Sequence, residues 1–199
     1  SEDFSMTFDQ NVVDIAVERS FSPAHNTLAL VVLHRGELVA ERYANGIDSA
    51  TPLPGWSMAK SVTATLVGLL VEQGLLDVNQ PGIVPEWHDG TDGGNLVTLD
   101  HLLRMTSGLD VMEDQSGADP NTRRRFIEPD AAGDASNRGL KTVPGSHWEY
   151  MSGSTVLTSR AIVEATGDTL ESSQKFFREA LLSPLGAASF IMEPDAAGT

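Results

Sequence analysis

One segment constrains the fold of this chain more than any other: a serine and a lysine, three residues apart, open a long apolar stretch. The stretch runs SMAKSVTATLVGLLVEQGLLD from Ser57. Its apolar residues recur at the spacing of one helix face, namely at Val62, Leu66, Leu69 and Leu70. Gly74 stands where the residue after a helix C-cap is usually found. The pattern predicts a largely buried helix that carries Ser57 and Lys60 in its first turn.

This serine and lysine have the spacing of a nucleophile and its base. Side chains at positions i and i+3 lie on one helix face, so the Lys60 amine can reach the Ser57 hydroxyl. The first turn of a helix carries partial positive charge and free N–H groups, which favour a developing alkoxide at Ser57. The alternative is structural: Ser57 caps the helix and Lys60 extends into solvent.

A second polar motif, Tyr150-Met151-Ser152, stands just before another apolar stretch. That stretch predicts a helix over 155–166. On an extended or turn segment, side chains two residues apart point the same way. A phenol beside an ammonium loses its proton more easily, so Tyr150 can relay a proton between the serine–lysine pair and a leaving group. The alternative is a core tyrosine whose hydroxyl is hydrogen-bonded.

Five ordered blocks of sequence resemble the serine β-lactamase and penicillin-binding-protein superfamily. The blocks are SMAK, LLVEQGLLDVNQP, VTLDHLLRMTSGLD, PGSHWEYMSGSTVLTSRAIVEATG and LLSPLGA. They are most similar to the class C β-lactamase-like branch, which also holds D-amino peptidases, carboxylesterases and 6-aminohexanoate-dimer hydrolases. The resemblance covers about residues 28–193. It implies an α+β fold, with an antiparallel sheet flanked by helices and an all-helical region. It also implies that Ser57 is the acylated nucleophile, Lys60 its base partner and Tyr150 the second-motif tyrosine.

The chain departs from the family pattern at two places. Ser152 stands where many members carry asparagine, and a hydroxyl cannot both donate and accept as an amide does. This favours ester or amide substrates over β-lactams. The third family motif, Lys-Thr-Gly or His-x-Gly, does not follow Tyr150. His34-Arg35-Gly36 matches its letters, but it lies between two strand-like runs and reads as the turn of a hairpin.

The absent motif predicts that residues 1–199 are the N-terminal portion of a single catalytic domain. Residues 1–55 are expected to supply a helix and a hairpin, and residues 56–185 a mainly helical part that carries both motifs. Two strands alone are marginally stable in water. We therefore expect the remaining strands and the third motif to belong to the C-terminal remainder, cleaved after Thr199 and bound as a separate chain.

Periodicity and turn residues predict the remaining elements. In chain order they are a helix over 8–20, strands over 28–34 and 37–43, a short helix capped by Thr98, a helix near 121–127, and a helix from Thr169 to about Leu182. The segment from 112 to 142 is otherwise predicted to be an irregular loop that forms one wall of the substrate cleft. Its Arg123-Arg124-Arg125 run either binds an anion or forms a solvated helix start that pairs with nearby carboxylates.

Aromatic residues flank both motifs, so Trp56 and Trp148, together with Ser152, are predicted to contact substrate; core packing is the alternative for the tryptophans. The histidines do not have a metal-ligand spacing, and His101 is expected to be structural. No phosphate loop or dinucleotide motif is present, so neither a metal nor a cofactor is expected.

Composition restricts the partners of this chain. The formal net charge of −15 repels nucleic acid and anionic membranes. No run of about 18 apolar residues occurs, so no membrane span is expected. Many members of the resembled family are exported to the periplasm or secreted, and a cytoplasmic location stays open.

Together these features predict a serine hydrolase that cleaves a small-molecule ester or amide through an acyl-enzyme. Two alternatives stay open: a true β-lactamase or D,D-peptidase, and a non-catalytic ligand-binding module on the same scaffold.

Overall fold

The computed structural model describes residues 9–88, 90, 93–114 and 116–199 of the chain. They divide into a first unit, Ser1–Leu53, and a second unit, Pro54–Thr199. No helix among the described residues is long and apolar enough to cross a membrane.

The described residues of the first unit form one helix and one hairpin. Helix α1 spans Gln10–Ser20, and strands β1 (Ala29–His34) and β2 (Glu37–Tyr43) pair antiparallel. Arg35 and Gly36 have φ of 52° and 84°. Two successive positive φ angles give the type I′ turn, whose twist matches that of paired strands. The predicted hairpin and its turn are therefore confirmed, and the predicted first residue of α1, Phe8, lies outside the described residues.

The second unit is mainly helical. Its helices are α2 (Ala59–Glu72), α3 (Leu99–Leu103), α4 (Pro120–Phe126), α5 (Ala131–Ser136), α6 (Ser152–Ala165), α7 (Leu170–Phe177) and α8 (Ser183–Leu185). A π-helix, Arg178–Leu182, joins α7 to α8, and 3-10 turns occur at Trp56–Met58, Pro85–Trp87 and Gly94–Leu96. The last helical segment extends past the predicted end at Leu182 because Pro184 lies in the first turn of α8, where a missing N–H costs little.

Helix α6 organises the core of the second unit. It packs against α2, α3, α5 and α7. Leu70, Leu99, Leu102 and Leu157 are among the largest fully buried side chains. Burying each such leucine stabilises the fold by about 1.5–3 kcal/mol relative to exposure. This core fixes the directions of α2 and α6, which begin at the two polar motifs.

The prediction that α2 is largely buried is wrong. Its buried residues are Leu66, Val67 and Leu70, and they form one face. The opposite face includes Ala64, Thr65 and Gly68 and is exposed. Within the second unit α6 covers one side of α2. The burial of α2 was therefore overestimated when it was predicted from the apolar composition of the helix.

Within 112–142 the predicted helix near 121–127 is confirmed as α4, whereas the prediction that the rest of the segment is irregular is wrong, because α5 lies within it. Both helices begin at an aspartate N-cap: the side chain of Asp119 accepts from the N–H groups at the start of α4, and Asp130 caps α5. Each helix has fewer than three turns, too short for apolar periodicity to show. An aspartate followed by proline, as at Asp119-Pro120, is the local signal for a helix start.

Candidate active site

Ser57 lies at the junction of a 3-10 turn and α2. The backbone N–H of Met58 donates to the carbonyl of Gly55 at 3.0 Å, which closes the turn that precedes the α-helix. Trp56 has a φ of 45°, in the left-handed region that disfavours residues with a side chain. Such a conformation costs on the order of 1–3 kcal/mol and clusters at functional sites. Ser57 itself is solvent-exposed, so an external molecule can reach its hydroxyl.

The structure brings Ser57, Lys60 and Tyr150 together. The Lys60 amine donates to the Ser57 hydroxyl oxygen, with Nζ and Oγ 3.1 Å apart. The hydroxyl groups of Ser57 and Tyr150 are hydrogen-bonded with their oxygens 2.6 Å apart. The Lys60 amine also lies 5.0 Å from the centroid of the Tyr150 ring. A serine hydroxyl in contact with two groups that can accept its proton has the geometry of an activated nucleophile.

The surroundings of Tyr150 favour its phenolate. The Lys60 amine, followed by the hydrogen bond to Ser57, lowers the pKa of the Tyr150 phenol below its ordinary value of 10.0. Partial burial and the Glu113 carboxylate act in the opposite direction. A cation stabilises a nearby phenolate, and a carboxylate destabilises it. The balance brings the Tyr150 phenol closer to the range in which a phenol acts as a base.

A short irregular segment holds Tyr150 against the start of α2. The N–H of Glu149 donates to the carbonyl of Met105 at 2.9 Å, and the N–H of Gly145 donates to the carbonyl of Thr106 at 2.8 Å. Met151, which follows Tyr150, is only 1% exposed. The tyrosine is thus fixed on both sides by backbone bonds and by burial, while its own ring remains 41% exposed.

His101 stabilises the helix next to this segment. Its Nδ1 accepts from the N–H of Thr98, and its own N–H donates to the Thr98 hydroxyl, so both interactions close the start of α3. The predicted N-cap at Thr98 and the structural role of His101 are confirmed.

Ser152 lies on helix α6, not on the extended or turn segment that the sequence predicted. Helix α6 begins at Ser152, three residues earlier than expected. The backbone N–H and the hydroxyl of Ser152 both donate to the carboxylate of Glu113, and the hydroxyl oxygen lies 3.1 Å from the carboxylate oxygen. Glu113 satisfies free donors at the helix start, which made the earlier start favourable. Sequence reasoning missed Glu113, because 39 residues separate the two side chains.

A cavity of about 370 Å³ opens over Ser57. It is lined by Trp56, Ser57, Glu113, Asn121, Thr122, Arg125, Tyr150 and Ser152. Trp56 and Ser152 therefore lie where the sequence predicted contact with substrate. Trp148 is 64% exposed and does not line this cavity. The segment 112–142, which the sequence predicted to form one wall of the substrate cleft, contributes Glu113 and three residues of α4 to this cavity, although none of the four was individually predicted to contact substrate.

A model of one protein family matches most of this chain. The model described as beta-lactamase matches residues 14–199. The chain belongs to the β-lactamase family.

Solved structures of this β-lactamase fold are similar to the chain. A protein from Bacillus anthracis assigned as a 6-aminohexanoate-dimer hydrolase is 23% identical, with a TM-score of 0.63 over 76% of this chain and 43% of its own. A protein from Bacteroides dorei DSM 17855 assigned as a beta-lactamase is 20% identical, with a TM-score of 0.68 over 92% of this chain and 53% of its own. The crystal structure of SurE is 26% identical, with a TM-score of 0.63 over 89% of this chain and 39% of its own.

The chain thus spans between 39% and 53% of the length of these solved proteins. No curated protein matches the sequence. The α+β fold expected from the family resemblance is confirmed by the family match and by the structural neighbours.

The contact between Glu113 and Ser152 yields a prediction for this β-lactamase-family site. Glu113→Ala removes the acceptor for two donors at the start of α6, two residues after Tyr150. We expect kcat for hydrolysis to fall about tenfold or more, because small displacements of a reacting group are costly. Glu113→Gln keeps an acceptor oxygen and removes the charge that raises the pKa of Tyr150. We expect most of kcat to survive and the acidic limb of the pH profile to move to lower pH.

The control for this pair is Asp114→Asn, which removes the exposed neighbouring charge and does not affect the Ser152 contact. Steady-state kinetics across pH, together with thermal unfolding, distinguish the role of Glu113 as an acceptor for Ser152 from its effect on the pKa of Tyr150. Equal losses of kcat in Glu113→Ala and Glu113→Gln, with unchanged pH profiles, would contradict the positioning role.

Proposed function

We propose that this chain carries the nucleophilic half of a serine hydrolase that cleaves an ester or amide through an acyl-enzyme. The observation that carries the proposal is the contact of the Ser57 hydroxyl with both the Lys60 amine and the Tyr150 phenol, at 3.1 Å and 2.6 Å. In this proposal Ser57 is the nucleophile, and Lys60 and Tyr150 are the groups that move its proton.

Acylation begins when Ser57 Oγ attacks the carbonyl carbon of the substrate. The hydroxyl proton passes to Tyr150 as its phenolate, or to Lys60 as its neutral amine, and the carbonyl π electrons move onto the oxygen. The backbone N–H of Ser57 lies in the first turn of its helix, where N–H groups have no acceptor within the helix. It is therefore suited to donate to the new oxyanion.

The tetrahedral intermediate collapses by breaking the bond to the leaving group. Tyr150 returns the proton to the departing oxygen or nitrogen, which leaves Ser57 acylated. Water then attacks the acyl carbonyl, its proton passes to the Tyr150–Lys60 pair, and Ser57 is released with its hydroxyl restored. The exposure of Ser57 and Tyr150 supports access for both substrate and water.

The hydrogen bonds that Ser152 donates to Glu113 favour ester or amide hydrolysis over β-lactam hydrolysis. Its hydroxyl and N–H are both used by the Glu113 carboxylate. It is therefore poorly placed to contact a substrate amide as an asparagine would. A true β-lactamase or D,D-peptidase is the second candidate, which membership of the β-lactamase family supports. A ligand-binding module without catalysis is the third, and the contacts of Ser57 weigh against it.

We also propose that activity requires the part of the β-lactamase fold that this chain does not cover. The chain spans 39% to 53% of its solved neighbours, and its described sheet has two strands. A second donor to the oxyanion is expected from that part, since each lost donor costs on the order of 10²–10³ in rate.

The test is an intact mass spectrum of the purified protein before and after brief incubation with an activated ester and, separately, with a penicillin. We expect an acyl adduct from the ester that maps to Ser57. An adduct from penicillin alone would favour the β-lactamase candidate. No adduct from either reagent on the full-length protein would overturn the hydrolase proposal in favour of a binding module.

A further inference from the structure

Three consecutive arginines at the wall of the cavity have different surroundings. Arg123 forms an exposed ion pair with Glu128, with nitrogen and oxygen 3.2 Å apart, as the sequence predicted. Arg124 is only 3% exposed and pairs with Asp134 at 2.8 Å, so the prediction that the run is solvated is wrong for this residue. Consecutive residues of a helix point in different directions. Arg125 accordingly points to a third environment, the cavity over Ser57.

Aromatic rings surround the guanidinium of Arg125. Its central carbon lies 5.3 Å from the centroid of the Trp56 ring and 5.9 Å from that of Phe126. A guanidinium over an indole face is held by cation–π attraction, which leaves its edge and its N–H donors available. Trp56 directly precedes Ser57, so this contact holds a positive charge next to the reacting serine.

The cavity contains one acidic side chain, that of Glu113, and it is already engaged. Ser152 donates to both of its carboxylate oxygens. The other lining residues besides Arg125 are uncharged in their ordinary states, and Asn121 and Thr122 add polar groups beside it on α4. Arg125 therefore presents charged donors to a cavity whose one carboxylate among the described lining residues already accepts from Ser152. Guanidinium donors match the geometry of a carboxylate, which they bind through two parallel hydrogen bonds.

We propose that Arg125 binds a carboxylate carried by the substrate, on the part that lies over the Trp56 ring when the scissile carbonyl faces Ser57. This inference rests on the proposed function and specifies its substrate class: esters or amides whose acyl or leaving group ends in a carboxylate. The net charge of −15 repels anions at long range. Recognition of the carboxylate must therefore come from the local contact with Arg125.

The experiment compares matched esters on the full-length protein. The p-nitrophenyl esters of succinate, methyl succinate and γ-aminobutyrate place an anion, a neutral group or a cation at the end of similar acyl chains. A second pair, para-carboxyphenyl acetate and its methyl ester, places the carboxylate on the leaving group. The ratio of wild-type to variant kcat/KM for each ester cancels its intrinsic reactivity.

Arg125→Ala is expected to lower kcat/KM by about 10- to 100-fold for one of the two carboxylate esters, the loss typical of a hydrogen bond to a charged group. The neutral esters should change by about twofold or less. Arg125→Glu should reverse the preference toward the γ-aminobutyrate ester. The matched control is Arg123→Ala, because Arg123 is a charged arginine of the same helix, two residues before Arg125, and does not line the cavity. It should leave every ratio unchanged.

A binding measurement separates this inference from the proposed hydrolase activity. In a Ser57→Ala background the p-nitroanilide of succinate serves as a stable analogue of the ester, and titration calorimetry compares its binding to that protein and to Ser57→Ala/Arg125→Ala. Weaker binding of the carboxylate compound to the double variant would support the inference. If the wild type also failed to hydrolyse the esters, the proposed activity would be contradicted and the inference would still stand. Equal affinities in the two proteins, or equal kinetic losses for neutral and anionic esters, would overturn it.

Discussion

Ser57→Ala is expected to abolish formation of the acyl adduct and to lower kcat for ester hydrolysis by about 10⁶-fold, the scale seen when a serine nucleophile is removed. The reason is geometric: the Ser57 hydroxyl joins the Lys60 amine at 3.1 Å and the Tyr150 phenol at 2.6 Å. Without that oxygen neither base has a nucleophile to deprotonate. The measurement is steady-state hydrolysis of an activated ester, combined with intact mass after brief incubation.

The matched control for this variant is Ser61→Ala, one turn further along α2. Ser61 is an exposed serine in the first turn of α2, four residues after Ser57, and it does not line the cavity. Its replacement should leave kcat/KM within about twofold, as expected for an ordinary surface change. Persistence of the adduct in Ser57→Ala would show that another residue is acylated and would contradict the assigned nucleophile.

Tyr150→Phe is expected to lower kcat by about 10²–10⁴-fold, the range of a general acid–base group. The ring and its packing survive, while the hydroxyl that contacts Ser57 is lost. The matched control is Tyr43→Phe, which removes a hydroxyl of the first unit that donates to Glu41. This control should leave kcat nearly unchanged. A similar loss in both variants would point to a general effect on folding.

The pH dependence of the reaction gives a second measurement on Tyr150. Its pKa lies below 10.0, chiefly because of the Lys60 amine and then because of the hydrogen bond to Ser57. The phenolate is the form that accepts a proton. The rate of acylation should therefore rise as pH increases through this lowered pKa and level off above it. In Tyr150→Phe that limb should be absent, and a retained limb would assign the titration to another group.

Ultraviolet titration observes the phenol without catalysis. A hydrogen bond to Glu41, followed by slight burial, raises the pKa of Tyr43 above 10.0, whereas that of Tyr150 is lowered. The first tyrosinate signal to appear on raising the pH should disappear in Tyr150→Phe and remain in Tyr43→Phe. This result would link the kinetic limb to one side chain.

Sequence predicted correctly those contacts and elements that depend on helix spacing, turn residues and helix caps. Positions i and i+3 on a helix face each other whatever surrounds the helix, so the Lys60–Ser57 contact followed from spacing alone. The hairpin followed from the Arg35-Gly36 turn, and the start of α3 from the threonine cap at Thr98. Tyr150 was predicted as a participant through the family resemblance, because no local rule relates residues 93 positions apart.

Local sequence rules could not predict which residues surround Ser57, Lys60 and Tyr150. Glu113 meets Ser152 across 39 residues, and Arg125 meets Trp56 from α4. Helix α4 was predicted near 121–127, but nothing in its sequence indicated that it contacts Trp56. Only the packing of the second unit decided that α4 contributes to the same cavity as Ser57.

The sequence by itself thus determined which chemical groups this chain carries and in which local conformations they stand, because capping, turn chemistry and helix spacing act over a few residues. The tertiary structure decided which of those groups meet. The approach of Tyr150 to Ser57, the capture of Ser152 by Glu113 and the exposure of one face of α2 depend on how α6 packs against its neighbours. Packing is a collective property of buried side chains that are distant in sequence, and local preferences do not encode it.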